Sequence, residues 1–362
     1  MIDISVVVPV FNAEKYLRDT LDSIIGQTIQ SIEIICVNDG STDKSEIILE
    51  EYSKKDSRIK LLMQANSGAG VARNNGMKIA TGKYIAFLDG DDIYEVDMLE
   101  KMFSKAEQYE LDVVVCRSDK FINNVQDSIP NPGCIKKYLL PNQEVFSSAD
   151  IKKNFFMLFV WWPWDKLFRL DYVKQLDIEY QNLRTTNDLF FVASSTIAAR
   201  KISCIDEILA HHRIGEKSTL SVTREKSWEC YKLALDELKK FLAQHDLTGR
   251  FGQDFVNYSL HFSLWQLETL KGKSYFLLYE KLRKEWFADM EISSKPKKYF
   301  YNADLYRMMK YIVANNKARV IQSGYCKSNM YYNILSDIVR LKVYHAGCGL
   351  KKTIKKIIDK YI

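Results

Sequence analysis

The sequence lacks the features that mark membrane-spanning, secreted and zinc-dependent proteins. It contains no apolar run of the roughly 20 residues that cross a bilayer, and its N-terminus enters a strand-like run with no signal-peptide pattern. Its seven cysteines include no C-x-x-C pair, and their odd number does not fit a disulfide framework. No HExxH motif is present. We therefore expect the protein to work in a reducing cytoplasm.

Internal repeats and low-complexity linkers are also absent. The 362 residues are enough for one large domain with an accessory domain. A hydrophobic content of 47% is ordinary for a globular protein. A change of pattern near Thr223 predicts an α/β domain over residues 1–222 and a helical accessory domain over residues 223–362.

Positive charge is concentrated toward the C-terminus. Residues 295–362 contain 15 lysines and arginines against 3 acidic residues, a net charge of +12, although the whole chain carries only +6. The preceding residues therefore carry −6. Attraction to an anionic surface is expected from the tail and not from the α/β domain.

Strand-like apolar runs alternate with helical patterns in the α/β domain, which predicts βαβ units and a mostly parallel sheet flanked by helices. The predicted strands are Ile4–Val10, Ile32–Val37, Ile59–Met63, Tyr84–Leu88, Asp112–Cys116 and Ile202–Ala210. Residues 118–147 are predicted to form a loop or flap over the site, with a disordered excursion as the alternative. Residues 151–160 and 186–198 are predicted to form helices. From Glu225 onward the pattern is helical.

Three aspartates follow the fourth predicted strand, in Asp89-Gly90-Asp91-Asp92. Carboxylates this close repel one another unless a cation lies among them, and an Asp-rich surface turn is the alternative interpretation. A helix-loop-helix calcium site is excluded, because Ile93 and Tyr94 stand where a ligand and a glycine are needed. Asp92 either supports the groups around the cation or caps a helix that begins at Ile93, and we expect capping.

Ligands of parallel sheets bind beyond the carboxyl ends of the strands. Residues 9–11, Asp39 and Asp89 each stand where a predicted strand ends. We therefore expect these residues, distant in sequence, to meet at one edge of the sheet.

Four motifs, in this order, resemble those of family 2 glycosyltransferases: Val8-Pro9-Val10-Phe11-Asn12, Val37-Asn38-Asp39-Gly40-Ser41-Thr42-Asp43, Gly70-Val71-Ala72-Arg73-Asn74-Asn75-Gly76 and Phe87-Leu88-Asp89-Gly90-Asp91-Asp92. The resemblance covers about residues 1–220. It implies the GT-A fold and inverting transfer from a nucleotide sugar. Many members of this family build bacterial surface polysaccharides.

The resemblance implies a site for a UDP-sugar. Asp39 would accept a hydrogen bond from the uracil ring, and Arg73 would lie close to the base and keep Asp39 ionised. Asp89 would contact the ribose. The remaining nucleotide-sugar contacts would be Pro9, Val10, Phe11, Glu14 and Gly90. The structural alternatives are helix capping by Asp39 and a surface ion pair for Arg73.

The resemblance also implies a metal ion and a general base. Asp91 would hold Mn²⁺ or Mg²⁺, hard cations that prefer oxygen ligands. The family's base is the aspartate of a Glu-Asp pair after a Trp-x-Lys-Leu strand, which corresponds here to Asp188 after Trp164-Asp165-Lys166-Leu167. Asn187 replaces the glutamate, so the pKa of Asp188 should be raised less than beside a second carboxylate. The alternative for Asp188 is a carboxylate stabilised by a helix N-terminus.

Two clusters keep both a structural and a functional interpretation. His211 and His212 follow a predicted strand, and one of them either approaches the diphosphate or the metal or packs within the protein. Trp161, Trp162 and Trp164 either stack on sugar rings or fill the core.

Residues 350–362 are predicted to form a basic amphipathic helix with one apolar stripe: Leu350, Ile354, Ile357, Ile358 and Tyr361. Such a helix suits an anionic membrane surface. Docking on its own domain and a homodimer contact are the alternatives. Nucleic-acid binding is not expected, because the pattern is amphipathic and lacks the aromatic interleaving of a nucleic-acid groove.

The family resemblance implies inverting, metal-dependent transfer of a hexose or N-acetylhexosamine from a UDP-sugar to a hydroxyl of a surface glycan or lipid-linked glycan. The expected location is the inner face of the bacterial plasma membrane. A sugar nucleotidyltransferase is disfavoured, because Val8–Glu14 lacks the Gly-rich basic loop of that class. The remaining alternative is a non-catalytic protein that binds a nucleotide sugar, a membrane or a nucleic acid.

Overall fold

A computed structural model of the chain describes residues 2–215, 219–316, 337–349 and 352–353. The chain divides into two compact units, Met1–Ser218 and Thr219–Ile362. In the described residues, the first unit is built on a nine-stranded sheet with the order β3-β2-β1-β4-β8-β6-β9-β5, and β7 pairs with β6. The strands are β1 Ile4–Val10, β2 Ile32–Asn38, β3 Ile59–Met63, β4 Tyr84–Phe87, β5 Ile93–Tyr94, β6 Val113–Phe121, β7 Ile129–Pro130, β8 Lys166–Arg169 and β9 Ile202–Arg213.

Helices cover the sheet, as the predicted α/β class requires. They are α1 Leu17–Ile25, α2 Ser45–Lys55, α3 Ala69–Ile79, α4 Met98–Tyr109, α5 Leu170–Gln175 and α6 Leu189–Ala198. Strands β3, β2, β1 and β4 run parallel, and every residue of β2 and β4 is buried because helices pack on both faces. Beyond β4 the sheet is mixed, since β8 lies antiparallel between β4 and β6.

Two predicted elements of the first unit differ in the structure. Residues 151–160 do not form a helix and contain only a 3₁₀ turn, Phe155–Met157. The aromatic side chains of this segment pack against Trp161 instead, with ring centroids 5.7 Å apart for Phe155 and 6.1 Å apart for Phe159. Packing of these large side chains outweighs the weak helical pattern.

Strands β6 and β9 are also longer than predicted. They continue to Phe121 and Arg213 because they pair with each other in parallel, with irregular register between Cys116 and Ser118. The polar residues at the start of the predicted 118–147 loop therefore belong to a paired strand. Polar composition indicated a loop here, and the tertiary pairing decided otherwise.

The second unit is helical in its described residues, as predicted. Its helices are α7 Thr219–Lys226, α8 Cys230–Gln244, α9 Thr248–Thr269, α10 Gly272–Lys281, a π-helical turn Leu282–Trp286, α11 Phe287–Asp289, α12 Ala303–Ala314 and α13, residues 337–349. The predicted terminal helix, residues 350–362, lies outside the described residues except for positions 352 and 353. Within the described ranges, every helix is too short or too polar to cross a membrane.

Candidate active site

The carboxyl ends of β1, β2 and β4 meet at one edge of the sheet. The backbone N–H of Asp39 donates to the carbonyl oxygen of Val10 at 2.8 Å. Gly90 lies against β1 so closely that a Cβ atom there would be 3.2 Å from the carbonyl oxygen of Pro9. Phe11, beside them, leaves 40% of its surface exposed. The structure therefore brings together these residues, which are up to about 80 positions apart in the chain.

Asp39 is buried and holds the loop that precedes α3. Its Oδ1 accepts hydrogen bonds from Gln64 Nε2 and Ser67 N, both at 2.7 Å, and its Oδ2 accepts one from Gly68 N at 2.8 Å. Gly68 has a φ of +91°, which favours glycine. A carboxylate has about four acceptor positions. One position on Oδ2 therefore remains for a donor from a ligand.

Glu14 and Asp43 hold the start of α2. Glu14 Oε2 accepts the backbone N–H of Lys44 at 2.9 Å, and Asp43 Oδ2 accepts the N–H of Glu14 at 3.0 Å. The structure thus gives Glu14 a capping contact at α2. The capping role considered as an alternative for Asp39 belongs to these two carboxylates instead.

Arg73, on α3, pairs with Asp89. Its Nη2 is 2.6 Å from Asp89 Oδ1, and its Nη1 is 3.0 Å from Asn187 Oδ1. The guanidinium also lies 5.3 Å from the ring centroid of Tyr180. The predicted pairing of Arg73 with Asp39 is not formed, because Asp39 contacts the loop before α3 whereas Arg73 lies more than one turn into that helix.

Asp188 is at the N-terminal boundary of α6 and makes no side-chain capping hydrogen bond there. Burial raises the pKa of Asp188, the charge of Arg73 opposes this rise, and the charge of Asp89 adds to it. Burial is therefore the main cause of the raised pKa of Asp188. The prediction from the sequence had considered only the charge of the neighbouring residue. Thr186, two residues earlier, has a φ of +61°, a strained conformation for a β-branched residue.

Asp92 is fully buried and joins β5 to β9. It accepts the backbone N–H of Arg213 at 2.8 Å and lies 3.0 Å from His212 Nδ1. Ile93 begins strand β5, which pairs with His211 of β9. The predicted helix cap at Asp92 is therefore wrong, because the chain at this point completes the sheet.

Asp91 has a different environment, since its side chain is exposed. Loss of hydration on its protein side, with the charges of Asp92 and Asp89, raises the pKa of Asp91 to about 7. Asp89 is paired with Arg73, and Asp92 lies 3.0 Å from His212 Nδ1, a contact that becomes an ion pair when the imidazole is protonated. Asp91 is thus the aspartate of this cluster that has no ion-pair partner among the described residues and could bind a cation from solution. In the part of the chain that the structure describes, no three His, Cys, Asp or Glu side chains form a complete metal site.

His211 and His212 belong to β9 and do not follow it. His211 is buried between Asp119, 2.7 Å from its Nδ1, and Glu95, 2.9 Å from its Nε2. His212 is partly exposed. Burial opposes a charge on its ring, but the hydrogen bond and charge of Asp92, with the charges of the other two aspartates, raise the pKa of His212. His212 is therefore the histidine placed to carry positive charge beside the Asp cluster.

The tryptophans divide between core and site. Trp161 and Trp164 are 5% and 1% exposed, so the core interpretation applies to them. Trp162 is half-buried and stacks on Trp164, with ring centroids 4.8 Å apart and planes 19° apart. Trp164 in turn stacks on His212 at 5.3 Å. Trp162 is thus the tryptophan that keeps surface for a ligand.

Two residues of the site carried little signal in the sequence. The hydroxyl of Tyr94 accepts the backbone N–H of Asp89 at 2.9 Å. Arg213 Nε donates to the carbonyl oxygen of Asp91 at 2.9 Å, and its guanidinium lies between the rings of Tyr16 and Phe121. In the sequence, the position of Arg213 directly after the two histidines indicated only weakly that it belongs to the site. Tyr94 gave none, because its contact depends on the pairing of β5 with β9.

Comparison with known proteins gives the family. Residues 5–174 match the model of glycosyl transferase family 2. The chain is 33% identical over 252 residues to the uncharacterized glycosyltransferase EpsJ of Bacillus subtilis, which covers 69% of this chain and 70% of EpsJ. It is 30% identical over 233 residues to the putative teichuronic acid biosynthesis glycosyltransferase TuaG of the same organism, which covers 63% of this chain and 87% of TuaG.

The fold is similar to that of a solved structure, S. aureus TarS 1–349, with a TM-score of 0.63 and 20% sequence identity. The match covers 94% of this chain and 92% of that one. The predicted GT-A fold with a helical C-terminal region is thereby confirmed. The chain belongs to glycosyl transferase family 2 and is a glycosyltransferase.

Proposed function

We propose that this enzyme transfers a hexose or N-acetylhexosamine from a UDP-sugar to a hydroxyl of a cell-surface glycan, with inversion at the anomeric carbon. One observation carries the proposal: Arg73 contacts Asp89 on the donor side and Asn187, next to Asp188, on the other side. TarS, which shares the fold, was crystallised with UDP and with UDP-GlcNAc. The name of TuaG refers to teichuronic acid biosynthesis.

In this proposal the nucleotide binds at the ends of β1 and β2. The remaining acceptor position of Asp39 receives the uracil N–H, and the exposed ring of Phe11, with Pro9 and Val10, supplies apolar surface for the base. Asp89, oriented by Arg73, accepts a ribose hydroxyl. Gly90, which can lie against β1 because it has no side chain, would contact the nucleotide through its backbone.

The site fits a divalent cation held by Asp91. Loss of hydration on the side of Asp91 that faces the protein, followed by the charges of Asp92 and Asp89, raises the pKa of Asp91 to about 7, and a cation would relieve that cost. Because the described residues offer no complete metal site, a cation would take its other ligands from water and the substrate diphosphate, as Mg²⁺ commonly does. Bound Mn²⁺ or Mg²⁺ would neutralise the charge of the diphosphate leaving group. His212 would supply further positive charge on the same side.

Asp188 is the proposed general base. It removes the proton of the acceptor hydroxyl while the hydroxyl oxygen forms a bond to the anomeric carbon. The bond from that carbon to the diphosphate breaks, and UDP leaves from the opposite face. The burial that raises the pKa of Asp188 favours proton acceptance, and the charge of Arg73 opposes that rise.

A membrane contact through residues 350–362 is part of the proposal and rests on their basic amphipathic pattern. It would hold the enzyme at the inner face of the plasma membrane, where lipid-linked acceptors are exposed. Docking on its own domain and a homodimer contact are the alternatives for this segment.

The test is UDP release from a panel of UDP-hexoses and UDP-N-acetylhexosamines, with glycan acceptors, in Mn²⁺ and in EDTA. We expect release with one donor, dependent on the metal and on an acceptor. Full activity in EDTA would refute the metal role. Release from no UDP-sugar, with release from another nucleotide sugar, would refute the donor class.

A further inference from the structure

Arg213, the last residue of β9, has a side chain that other elements hold in one place. Its guanidinium lies 4.4 Å from the ring centroid of Tyr16, directly before α1, and 4.5 Å from that of Phe121, at the end of β6. Its Nη2 is 3.2 Å from Asp19 Oδ2, and the side chain is 6% exposed. Because a guanidinium is attracted to the faces of aromatic rings, two rings and a carboxylate together fix its position.

This fixed side chain is bonded to the loop that carries the aspartates. Arg213 Nε donates to the carbonyl oxygen of Asp91 at 2.9 Å, and the backbone N–H of Arg213 donates to Asp92 Oδ1 at 2.8 Å. The hydroxyl of Thr20 donates to the carbonyl oxygen of Asp92 at 2.7 Å. Because each peptide group is planar, the bond from Nε restrains the whole peptide plane between Asp91 and Asp92.

The carboxylate of Asp91 depends on this backbone for its direction. Asp89 and Asp92 have their own side-chain contacts, with Arg73 and His212. The side chain of Asp91 is exposed and forms no ion pair within the described residues. Its direction therefore follows from the orientation of its Cα–Cβ bond, which the backbone sets.

The position of the guanidinium matters here more than its charge. A positive charge close to Asp91 repels a divalent cation, so the charge of Arg213 by itself would weaken cation binding. The contact with Asp19 offsets part of that charge. The donor at Nε is the feature that could strengthen the site. A lysine would have a methylene carbon at the place of Nε and could not donate from there.

We propose that Arg213 is a positioning residue, which orients Asp91 toward the divalent cation through the carbonyl oxygen of Asp91. The proposal rests on the proposed function, in which Asp91 is the protein ligand of that cation. Groups that orient a metal ligand typically contribute about 10–100-fold to metal affinity. A purely structural link between β9 and α1 would instead affect the melting temperature and leave the metal affinity unchanged.

The test is calorimetric titration of the full-length protein with UDP, in EDTA and over a range of Mn²⁺ concentrations. The dependence of UDP affinity on Mn²⁺ gives the apparent Mn²⁺ dissociation constant of the UDP complex. Arg213→Met keeps an unbranched chain between the two rings and removes the donor and the charge. Arg213→Lys keeps the charge and removes only the donor at Nε.

Both variants should raise the apparent Mn²⁺ dissociation constant by about tenfold. UDP affinity in EDTA should stay close to the wild-type value, because the proposed contacts of the base, at Asp39 and Phe11, do not involve Arg213. Melting temperatures are measured on the same preparations.

Arg58→Met is the matched control. Arg58 also donates to a backbone carbonyl oxygen, that of Ile25 at 2.8 Å, and pairs with Asp56, but it lies outside the site. This variant should keep the Mn²⁺ affinity of the wild type, whatever its melting temperature. Equal losses of Mn²⁺ affinity in Arg58→Met and Arg213→Met would overturn the proposal, because the cause would then be general stability.

Three results for the Arg213 variants would also overturn it. A stronger Mn²⁺ affinity in Arg213→Met would show that repulsion by the charge outweighs the donor. A wild-type Mn²⁺ affinity in Arg213→Lys would show that the donor at Nε is not needed. A loss of UDP affinity in EDTA as large as the loss in Mn²⁺ would assign Arg213 to the nucleotide pocket.

The wild type and Asp91→Asn separate this inference from the proposed function. UDP binding by the wild type that does not respond to Mn²⁺ would refute the metal role of Asp91, and the inference with it. A response to Mn²⁺ that Asp91→Asn abolishes, and that both Arg213 variants retain at wild-type Mn²⁺ affinity, would refute the inference alone.

Discussion

The guanidinium of Arg73 lies 2.6 Å from the carboxylate of Asp89, and its side chain is 6% exposed. A second contact, to Asn187, connects the same side chain to the segment that begins α6. Asp89, the proposed ribose contact, and Asn187, the neighbour of the proposed base Asp188, are therefore both held by one buried cation. In a buried pair of this kind, the planar guanidinium matters as much as its charge.

Arg73→Lys should keep the charge and lose one of the two contacts, since a single ammonium does not reproduce the guanidinium geometry. We expect turnover to fall by about 10–100-fold, because misplaced catalytic groups are costly. Steady-state UDP release measures this. Arg58→Lys is the control, because Arg58 also pairs with an aspartate, Asp56, within hydrogen-bond distance but outside the site. An equal loss in both variants would mean that general stability, not positioning, is affected.

Asp91→Asn should remove metal-dependent UDP binding and transfer while the protein stays folded. The amide keeps the shape of the side chain but is a poor ligand for a hard cation. Titration with UDP in Mn²⁺ and in EDTA measures the effect. Asp97→Asn, at an exposed carboxylate paired with Lys101, is the control and should retain both properties.

The same group gives Mn²⁺ binding a pH dependence in the wild type. Because a proton competes with the cation, apparent affinity should rise about tenfold per pH unit below the Asp91 pKa of about 7 and level off above it. An Mn²⁺ affinity that is flat between pH 5.5 and 8 would contradict Asp91 as the ligand.

Asp188→Asn should lower turnover by about 10²–10⁴-fold, the usual contribution of a positioned base. UDP affinity should persist, because the change is nearly isosteric and the nucleotide contacts lie at β1 and β2. Calorimetry with UDP and a turnover assay separate the two effects. The configuration of the product is an independent check, since a UDP-α-sugar must give a β-linkage. A loss of UDP affinity with preserved turnover would assign Asp188 a structural role.

Glu33→Gln should destabilise the sheet by on the order of 2 kcal/mol at pH 7. Burial disfavours the charged form, but hydrogen bonds from Lys60, Ser5 and Thr81 lower the pKa of Glu33 to about 2. Its folded pKa is therefore below the unfolded value, so its stabilisation is present above about pH 4.5 and is lost as pH falls toward 2.

Urea unfolding at pH 7 and pH 3 measures this difference between wild type and variant. Glu51→Gln is the control, because Glu51 is paired with Arg18 and Lys55 at the surface. Exposed pairs contribute little, so this variant should unfold with the wild type. A Glu33→Gln variant as stable as the wild type at pH 7 would contradict the prediction.

A triple charge-reversal variant should no longer bind anionic vesicles. In this variant, glutamate replaces Lys355, Lys356 and Lys360 of the tail. Each basic residue near such a surface contributes about 1 kcal/mol. The variant keeps Lys352, which pairs with Asp304. Co-sedimentation with phosphatidylserine vesicles at low salt measures binding, and turnover of a soluble acceptor should stay within about twofold. If the wild type ignores the vesicles, sedimentation of both proteins tests the dimer alternative.

The sequence alone determined the α/β class, the family and most strands of the first unit. Buried parallel strands are near-continuous apolar runs, so β1 to β4 are visible in the sequence within a residue or so at their ends. The order of the motifs after these strands placed their residues at one edge, because parallel strands share a carboxyl end. The apolar periodicity that predicted a helical second unit is also a local feature of the sequence, so it needs no tertiary information.

Only the tertiary structure decided which charges pair. Arg73 joins Asp89 and not Asp39, Asp92 joins β9 and does not cap a helix, and β6 and β9 extend through polar residues. Each depends on contacts between segments far apart in the chain, such as Asp92 with Arg213, for which local pattern carries no information.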